Sequence, residues 1–148
     1  MNKQLTESLE NYLETIGMLI RKNKIARVKD ISKELDVKNS SVNIALNVLA
    51  DKGLIIHEKY GYVELTPEGK QIADDIQHKE DVLVQFFTEI LGVNEEVALK
   101  DACRMEHTIS DETLAKLIFF IGKIGKKNTK KLIPRKPQAD KSIPAVSG

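Results

Sequence analysis

A chain of 148 residues with 41% hydrophobic and 30% charged residues can bury the core of one domain or of two small ones. It has no run approaching the ~20 apolar residues of a membrane helix, and its first residues lack the apolar region of a secretory signal. Its one cysteine, Cys103, cannot form an internal disulfide, which fits a reducing compartment. The sequence therefore predicts a cytoplasmic protein without a membrane partner.

The net charge of +1 conceals a basic C-terminal end. From Lys123 onward there are eight basic residues and one acidic residue, so this end carries +7 and the remainder about −6. The same end has three prolines and few large apolar residues, a composition typical of disorder. We predict a disordered tail over residues 126–148, which is either a solvated terminus or an arm that attracts polyanions non-specifically.

The first predicted element is a helix over residues 5–21. Thr6 is placed to cap it, and acidic residues favour its first turn. Apolar side chains recur at helical spacing along it, namely Leu9, Tyr12, Leu13, Ile16, Leu19 and Ile20.

Two shorter helices then predict a helix-turn-helix. The first begins near Val28 and ends near Asp36. The second has Asn39 or Ser40 as its cap and stops at Gly53. Only a tight connection separates them, as in a helix-turn-helix.

A short β-hairpin is predicted after Gly53, where the apolar spacing changes. Leu54 to Ile56 form one strand and Tyr62 to Leu65 the other, with Gly61 supplying a permissive backbone at the turn. A helix-turn-helix followed by such a ribbon is a winged helix. We therefore predict a winged-helix DNA-binding domain over residues 1–66.

Three further helices are predicted over residues 67–125. Thr66 caps a long helix that ends at Gly92, Asn94 begins the next, and Ser110 begins the last. The last helix is apolar on one side, so we expect it to pack against a second copy of the chain. The predicted fold class is thus mainly α, a winged helix-turn-helix with a small hairpin wing plus a C-terminal helical dimerisation domain.

The second helix of a helix-turn-helix enters the major groove of DNA, and here it begins "KNSSVNIALNV". The serines at its start can donate to phosphate oxygens. The two asparagines can read base edges, preferentially adenine, and the isoleucine can meet a thymine methyl group. The candidate DNA contacts are Lys38, Asn39, Ser40, Ser41, Asn43, Ile44, Asn47 and Lys59.

Each of these candidates also has a purely structural interpretation. Ser40 and Ser41 are suited to capping a helix. Asn43 and Asn47 are suited to solvated positions, and Ile44 to the core of a small domain. The order of helix, turn, helix and wing within about 40 residues favours DNA binding over these separate alternatives.

A thiol, a carboxylate and an imidazole are gathered in "DACRMEH". Cys103, Glu106 and His107 are spaced i, i+3, i+4, which places them on one face of a helix. Together they suit a divalent transition metal. Three donors leave the coordination shell incomplete, so Glu14 on the first helix, with Asn11 on the same face, is a further candidate.

On the fourth helix Glu80 and His78 compete as ligands, because residues two apart point in different directions. Without a metal, Cys103 is a small buried hydrophobe and the neighbouring "EH" is polar surface. The spacing alone leaves both interpretations open.

The chain resembles the diphtheria-toxin-repressor and manganese-transport-regulator family of metal-activated repressors. The resemblance covers about residues 5–124 and rests on segments in matching order and spacing: "LENYLETIGMLI", "RVKDISKELDVKNSSV", "LADKGLI", "YGYVELTPEGK" and "ACRMEH". It implies the two-domain branch, which lacks the SH3-like domain of longer members, and assigns metal binding to the second domain, residues 67–125.

The resemblance also implies which residues bind metal. Cys103, Glu106 and His107 match the "C-x-x-E-H" of iron-type members, and Glu14 matches a carboxylate ligand of manganese-type members. Two departures stand out. Glu80 replaces the family's usual histidine, and Asn11 replaces an aspartate.

The companion positions of the iron-type second site are Val84 and Leu99, which cannot bind metal, so one site is expected. The expected cofactor is Fe²⁺ or Mn²⁺, and other divalent transition metals are expected to bind in vitro.

The predicted function is a homodimeric, metal-dependent repressor of metal-uptake genes that binds palindromic operator DNA. The alternative is a winged-helix regulator with altered metal sensing, for example a thiol sensor that uses Cys103. An enzyme is not expected, because no nucleophile–base pair is suggested.

Overall fold

The computed structural model describes residues 5–57 and 61–132, with side chains described up to residue 124. The chain divides into two compact units, Met1–Gln77 and His78–Gly148. The division falls inside a helix, eleven residues beyond the boundary predicted at residue 66. Residues 58–60, which include the predicted DNA contact Lys59, lie outside the described part.

Helix α1, Glu7–Asn23, starts and ends two residues later than the predicted span of 5–21. The Thr6 hydroxyl accepts a hydrogen bond from the backbone N–H of Leu9 at 3.1 Å, which confirms Thr6 as the N-cap. The helix ends at Lys24, whose backbone is left-handed with φ of 73° and whose N–H donates to the carbonyl of Ile20. The buried face of α1 supplies much of the first unit's core.

The helix-turn-helix consists of α2, Val28–Leu35, and α3, Asn39–Asp51. Asp36 turns the chain between them in a left-handed conformation with φ of 56°. The predicted cap of α3 is wrong. Lys38 holds the N-cap position without a side-chain hydrogen bond, because Asn39 and Ser40 are already in helical conformation. The Lys38 carbonyl accepts from the N–H groups of Ser41 and Val42.

A three-stranded antiparallel sheet contains the predicted hairpin. Its strands are β1, Ala26–Arg27, β2, Ile55–His57, and β3, Tyr62–Leu65, in the order β1-β3-β2. Ile55 pairs with Leu65 and His57 with Val63. Strand β1 was not predicted, because two residues are too few to show an alternating pattern.

Aliphatic side chains from α1, α2, α3 and the sheet form one core in the first unit. The most completely buried of them are Leu13, Ile16, Ile31, Val42, Leu46, Leu49, Leu54 and Val63. Burial of this many large aliphatic groups is the main stabilising term for a domain of this size.

Helix α4, Pro67–Gln85, starts close to the sheet. The Thr66 hydroxyl accepts from the Gly69 N–H at 3.0 Å, as its predicted capping role requires. A β-carbon on Gly69 would clash with the backbone carbonyl oxygen of Leu54, so only glycine fits this approach. The long helix predicted to reach Gly92 changes type before its end, because Phe86–Ile90 form a π-helix.

The second unit continues with α5, Glu95–Met105, and α6, Asp111–Leu132. The Asn94 side chain accepts from the N–H of Glu96, and the Ser110 hydroxyl accepts from that of Thr113, so both predicted starts are confirmed. The backbone of α6 extends past residue 126, where the tail is predicted to begin. The tail beyond residue 132 lies outside the described part and stays a prediction.

These elements confirm the predicted fold class, a mainly helical chain with a small antiparallel sheet in its first half. Among the residues described, none of the helices combines the length and the apolar character that crossing a bilayer would demand.

Candidate metal centre and nucleic-acid interface

Helix α3 separates an aliphatic face from a polar one. Val42, Ala45, Leu46 and Leu49 are buried, whereas Asn43 and Asn47 are exposed. Ile44 lies on the exposed side with 66% of its surface accessible, which rules out the core position considered for it. A β-branched apolar side chain held this far out of a core suits contact with an apolar group of a partner, such as a thymine methyl.

The N-terminal end of α3 is suited to an anion. Lys38, Asn39, Ser40 and Ser41 are all exposed there. The first turn contains no acidic residue and no side chain caps it. Unsatisfied N–H groups and the helix dipole both favour a phosphate at such an end. The seven described DNA-contact candidates thus share one exposed surface of the first unit.

One contact between two exposed side chains of the same unit was not predicted from the sequence. The guanidinium carbon of Arg27 lies 5.2 Å from the ring centroid of Tyr62. Only the pairing of β1 with β3 brings these residues together, since they are 35 positions apart. No local pattern in the sequence could have indicated this contact.

Three of the predicted metal ligands meet within the second unit. One carboxylate oxygen of Glu80 on α4, the Sγ of Cys103 on α5 and one carboxylate oxygen of Glu106 lie within 4.8 Å of one another. Donor atoms at such separations can surround a single cation. His78, the alternative on α4, is exposed and is not part of this cluster.

Glu106 is the buried member of this cluster, and His107 lies against it. The Glu106 side chain is 0% exposed and that of His107 1%, and the His107 Nε2 lies 3.2 Å from the Glu106 Oε2. Glu106 is the C-cap of α5 and keeps helical angles, φ −58° and ψ −28°. The i, i+3 relation between Cys103 and Glu106 therefore persists past the last helical residue.

The opposite end of the cluster is open. Cys103 is exposed and Glu80 is half-buried, so an ion can enter from the side of the sulfur. The exposure also excludes the alternative in which Cys103 is a small core residue. Val84 is half-buried and Leu99 exposed, and neither apolar side chain can replace a ligand.

Glu14 and Asn11 belong to α1, in the first unit, and both are half-buried. Their assignment as metal ligands rests on the sequence resemblance and stays a prediction.

The chemistry of the donor set fits a divalent transition metal. Glu80, Cys103 and Glu106 offer two carboxylates and a thiol, and the His107 imidazole lies against Glu106. These hard and soft donors together are compatible with Fe²⁺, Mn²⁺ or Zn²⁺. A carboxylate as buried as that of Glu106 is costly to ionise without compensating charge. A cation among these donors would supply that compensation.

Comparison with known proteins assigns a family to each half of the chain. Residues 4–63 match the family model described as the N-terminal DNA binding domain of the iron dependent repressor. Residues 66–135 match the model described as the metal binding and dimerisation domain of the same repressor. The two matches meet at the end of the hairpin, near the domain boundary predicted from the sequence.

Two curated relatives are transcriptional regulators. An uncharacterised HTH-type transcriptional regulator of Methanocaldococcus jannaschii is 33% identical over 120 residues, covering 80% of this chain and 96% of that protein. The HTH-type transcriptional regulator MntR of Bacillus pumilus is 40% identical over 105 residues, covering 71% of this chain and 72% of that protein.

Among solved structures, the crystal structure of T. acidophilum IdeR is similar with a TM-score of 0.70 and 27% identity. The match covers 82% of this chain but 56% of that protein, so this chain corresponds to little more than half of it.

Proposed function

Because the chain belongs to the iron-dependent repressor family, we propose that it represses metal-uptake genes when Fe²⁺ or Mn²⁺ is bound. The family's two domains make it a metal-dependent transcriptional regulator that binds operator DNA and forms a homodimer. The observation that carries the metal proposal is the meeting of Glu80, Cys103 and Glu106 donor atoms within 4.8 Å in the metal-binding domain.

The proposed ligands are of two kinds. Glu80, Cys103 and Glu106 are supported by their mutual distances, and His107 by its burial beside Glu106. Glu14, with Asn11 or water, is proposed from sequence alone to complete the shell. When bound, the ion would neutralise the clustered carboxylates and tie the elements that carry them together.

The carboxylate of Glu80 affects which metal ion the proposed site prefers. A histidine here would leave one carboxylate, one thiolate and two imidazoles in this group of four ligands, a set favouring softer ions such as Zn²⁺. Glu80 adds a hard anionic oxygen within 4.8 Å of the sulfur. This composition supports Fe²⁺ or Mn²⁺ as the activating metal.

DNA reading is proposed for the exposed face of α3. Asn43 and Asn47 would contact base edges, Ile44 a thymine methyl, and the residues at the start of α3 the phosphates. Each subunit of a dimer would occupy one half of a two-fold operator.

Operator binding titrated with Mn²⁺ and with Fe²⁺ under anaerobic conditions tests the proposal. We expect binding to require one of these ions. Glu106→Gln should weaken metal affinity about 100-fold or more, since even outer-shell substitutions typically cost 10- to 100-fold. Glu95→Gln, an exposed position in the first turn of α5, is the matched control and should behave as the parent. Equal responses of Glu106→Gln and parent to every ion would refute the metal site.

The exposed sulfur of Cys103 favours one second candidate, a regulator that responds to oxidants. In that case hydrogen peroxide would release the parent protein from its operator, and Cys103→Ser would not respond. A parent protein whose operator binding follows metal and ignores peroxide excludes this candidate.

A further inference from the structure

We propose that the connection between α1 and α2 is a second DNA-contacting surface, with Arg27 held on the ring of Tyr62 to bind a backbone phosphate. This inference rests on the DNA-binding function of the first unit. It adds a contact outside α3, at the place where β1 meets β3.

The pairing of the strands directs both side chains outward. Ala26 pairs with Val63 and Arg27 with Tyr62. Ala26 and Val63 are buried, and successive side chains of a strand point to opposite faces. Arg27 and Tyr62 therefore stand side by side on the solvent face of the sheet, where both are exposed.

The guanidinium of Arg27 lies against the face of the Tyr62 ring. Its carbon lies 5.2 Å from the centroid of the Tyr62 ring, and Nη2 is 3.5 Å from the Tyr62 hydroxyl oxygen. Stacking on an aromatic face orients the planar group and reduces the entropy lost on binding. A guanidinium has five N–H donors, so most of them remain available for a phosphate.

No carboxylate neutralises this cation among the residues that the structure describes, since Arg27 forms no ion pair there. Glu64 follows Tyr62 on the same face of β3 and is exposed. It makes no hydrogen bond or salt bridge to Arg27 in the described structure. The charge of Arg27 therefore faces solvent, where an anionic group can reach it.

Neighbouring residues extend the positive surface. Between residues 21 and 29 the chain has five basic residues and no acidic one, and all five are exposed: Arg21, Lys22, Lys24, Arg27 and Lys29. Arg21 and Lys24 line a depression of about 350 Å³ together with Tyr62, and Glu64 and Asp74 line it as well. Two of the five basic residues thus lie near the Tyr62 ring in space.

A nucleic-acid backbone is the partner that this surface fits. Arg27 immediately precedes α2, the first helix of the helix-turn-helix, and Tyr62 opens the strand that leaves the wing. Phosphate contacts from such flanking positions fix a protein on the duplex without reading its sequence. An exposed, oriented guanidinium is the group best suited to that role.

Operator affinity measured at a series of salt concentrations tests the inference. Arg27→Gln should weaken binding roughly tenfold for each subunit bound, the effect of losing one charge-assisted contact in each half of the operator. It should also lower the salt slope by about 0.9 for each subunit bound. The loss should be equal on operator and on unrelated DNA, because a phosphate contact carries no sequence information.

Variants at Tyr62 separate positioning from direct contact. Tyr62→Leu keeps an apolar residue in the strand and removes the ring. We expect this variant to lose most of the DNA affinity that Arg27→Gln loses. The double variant should bind no more weakly than Arg27→Gln alone. Additive losses would show that Tyr62 acts independently of Arg27 and would overturn the positioning role.

Lys100→Gln is the charge control, since Lys100 is exposed on α5 in the other unit. If it lowers affinity and salt slope as much as Arg27→Gln, the effect is one of total charge and the inference fails. Unchanged affinity and slope in Arg27→Gln would also overturn it. A parent protein that does not bind operator at all would instead refute the proposed function.

Discussion

The two units distribute their apolar and charged side chains in opposite ways. The first buries a continuous set of aliphatic residues and presents polar groups on α3. The second buries a carboxylate, Glu106, and leaves large apolar side chains exposed. Those at 39% or more accessibility are Leu91, Val97, Leu99, Met105, Ile118, Phe119 and Phe120.

This difference indicates where each unit obtains its stability. The first has the core of an independently stable domain. The second presents the exposed apolar surface expected of a subunit that associates, in agreement with its match to a dimerisation domain. The first unit should therefore be sensitive to changes in its interior, and the second to protein concentration and to metal.

The largest expected effect is at the centre of the first core. Leu46 is fully buried there, and Leu46→Ala should lower the free energy of unfolding by about 2–5 kcal/mol through lost burial and a residual cavity. Urea denaturation followed by circular dichroism measures this. The loss should be the same at low and high protein concentration, and a loss that disappears at high concentration would contradict the assignment of this core to a single chain.

A smaller loss is expected where α4 approaches the sheet. Gly69→Ala places a methyl group against the Leu54 carbonyl, and the backbone must move to accommodate it. The free energy of unfolding should fall by about 1–3 kcal/mol. Gly122→Ala is the control, because a β-carbon there meets nothing within 4 Å. Equal thermal midpoints for the two variants would show that α4 does not need this close contact.

Exposed apolar residues of α6 should affect association instead of folding. Phe119 is 65% exposed, and Phe119→Ser should weaken the dimer by about 1–2 kcal/mol if that surface is covered by a second copy. Sedimentation velocity at several concentrations measures the shift. Ile56→Ser, an exposed apolar position of the first unit, should leave the dimer unchanged, and a similar shift in both variants would argue against a specific interface.

The smallest effect is expected on the exposed face of α3. Ile44→Ala removes three carbon groups from solvent-exposed surface, so folding stability should change by less than about 0.5 kcal/mol. Operator affinity should fall about threefold. The loss should be larger on an operator that contains thymine than on one in which uracil, which lacks the methyl group, replaces it. Equal losses with thymine and uracil would exclude the proposed methyl contact.

The sequence predicted helices whose start carries a chemical signal. Thr6, Thr66, Asn94 and Ser110 each cap the helix assigned to them. The N-cap of α3 was predicted at Asn39 or Ser40, which is wrong. Lys38 occupies that position and makes no side-chain hydrogen bond there. The π-helix over Phe86–Ile90 was also missed, since no residue type distinguishes five-residue from four-residue hydrogen bonding in an apolar segment.

The candidate site was predictable where its residues are close in sequence. Cys103, Glu106 and His107 could be grouped by helical spacing. Glu80 could be chosen over His78 only with the help of the family resemblance, and the structure adds its distance to the other donors. Burial of Glu106 and exposure of Cys103 depend on tertiary packing, so neither followed from the spacing.

The exposed sulfur of Cys103 beside the buried Glu106 gives the protein one site for chemical modification within the candidate metal centre. Iodoacetamide reaches a thiolate at the surface, whereas a sulfur bonded to a cation reacts slowly. If the proposed ion binds Cys103, the alkylation rate, followed by mass spectrometry, would report the fraction of subunits that carry it, without DNA and without a coloured metal.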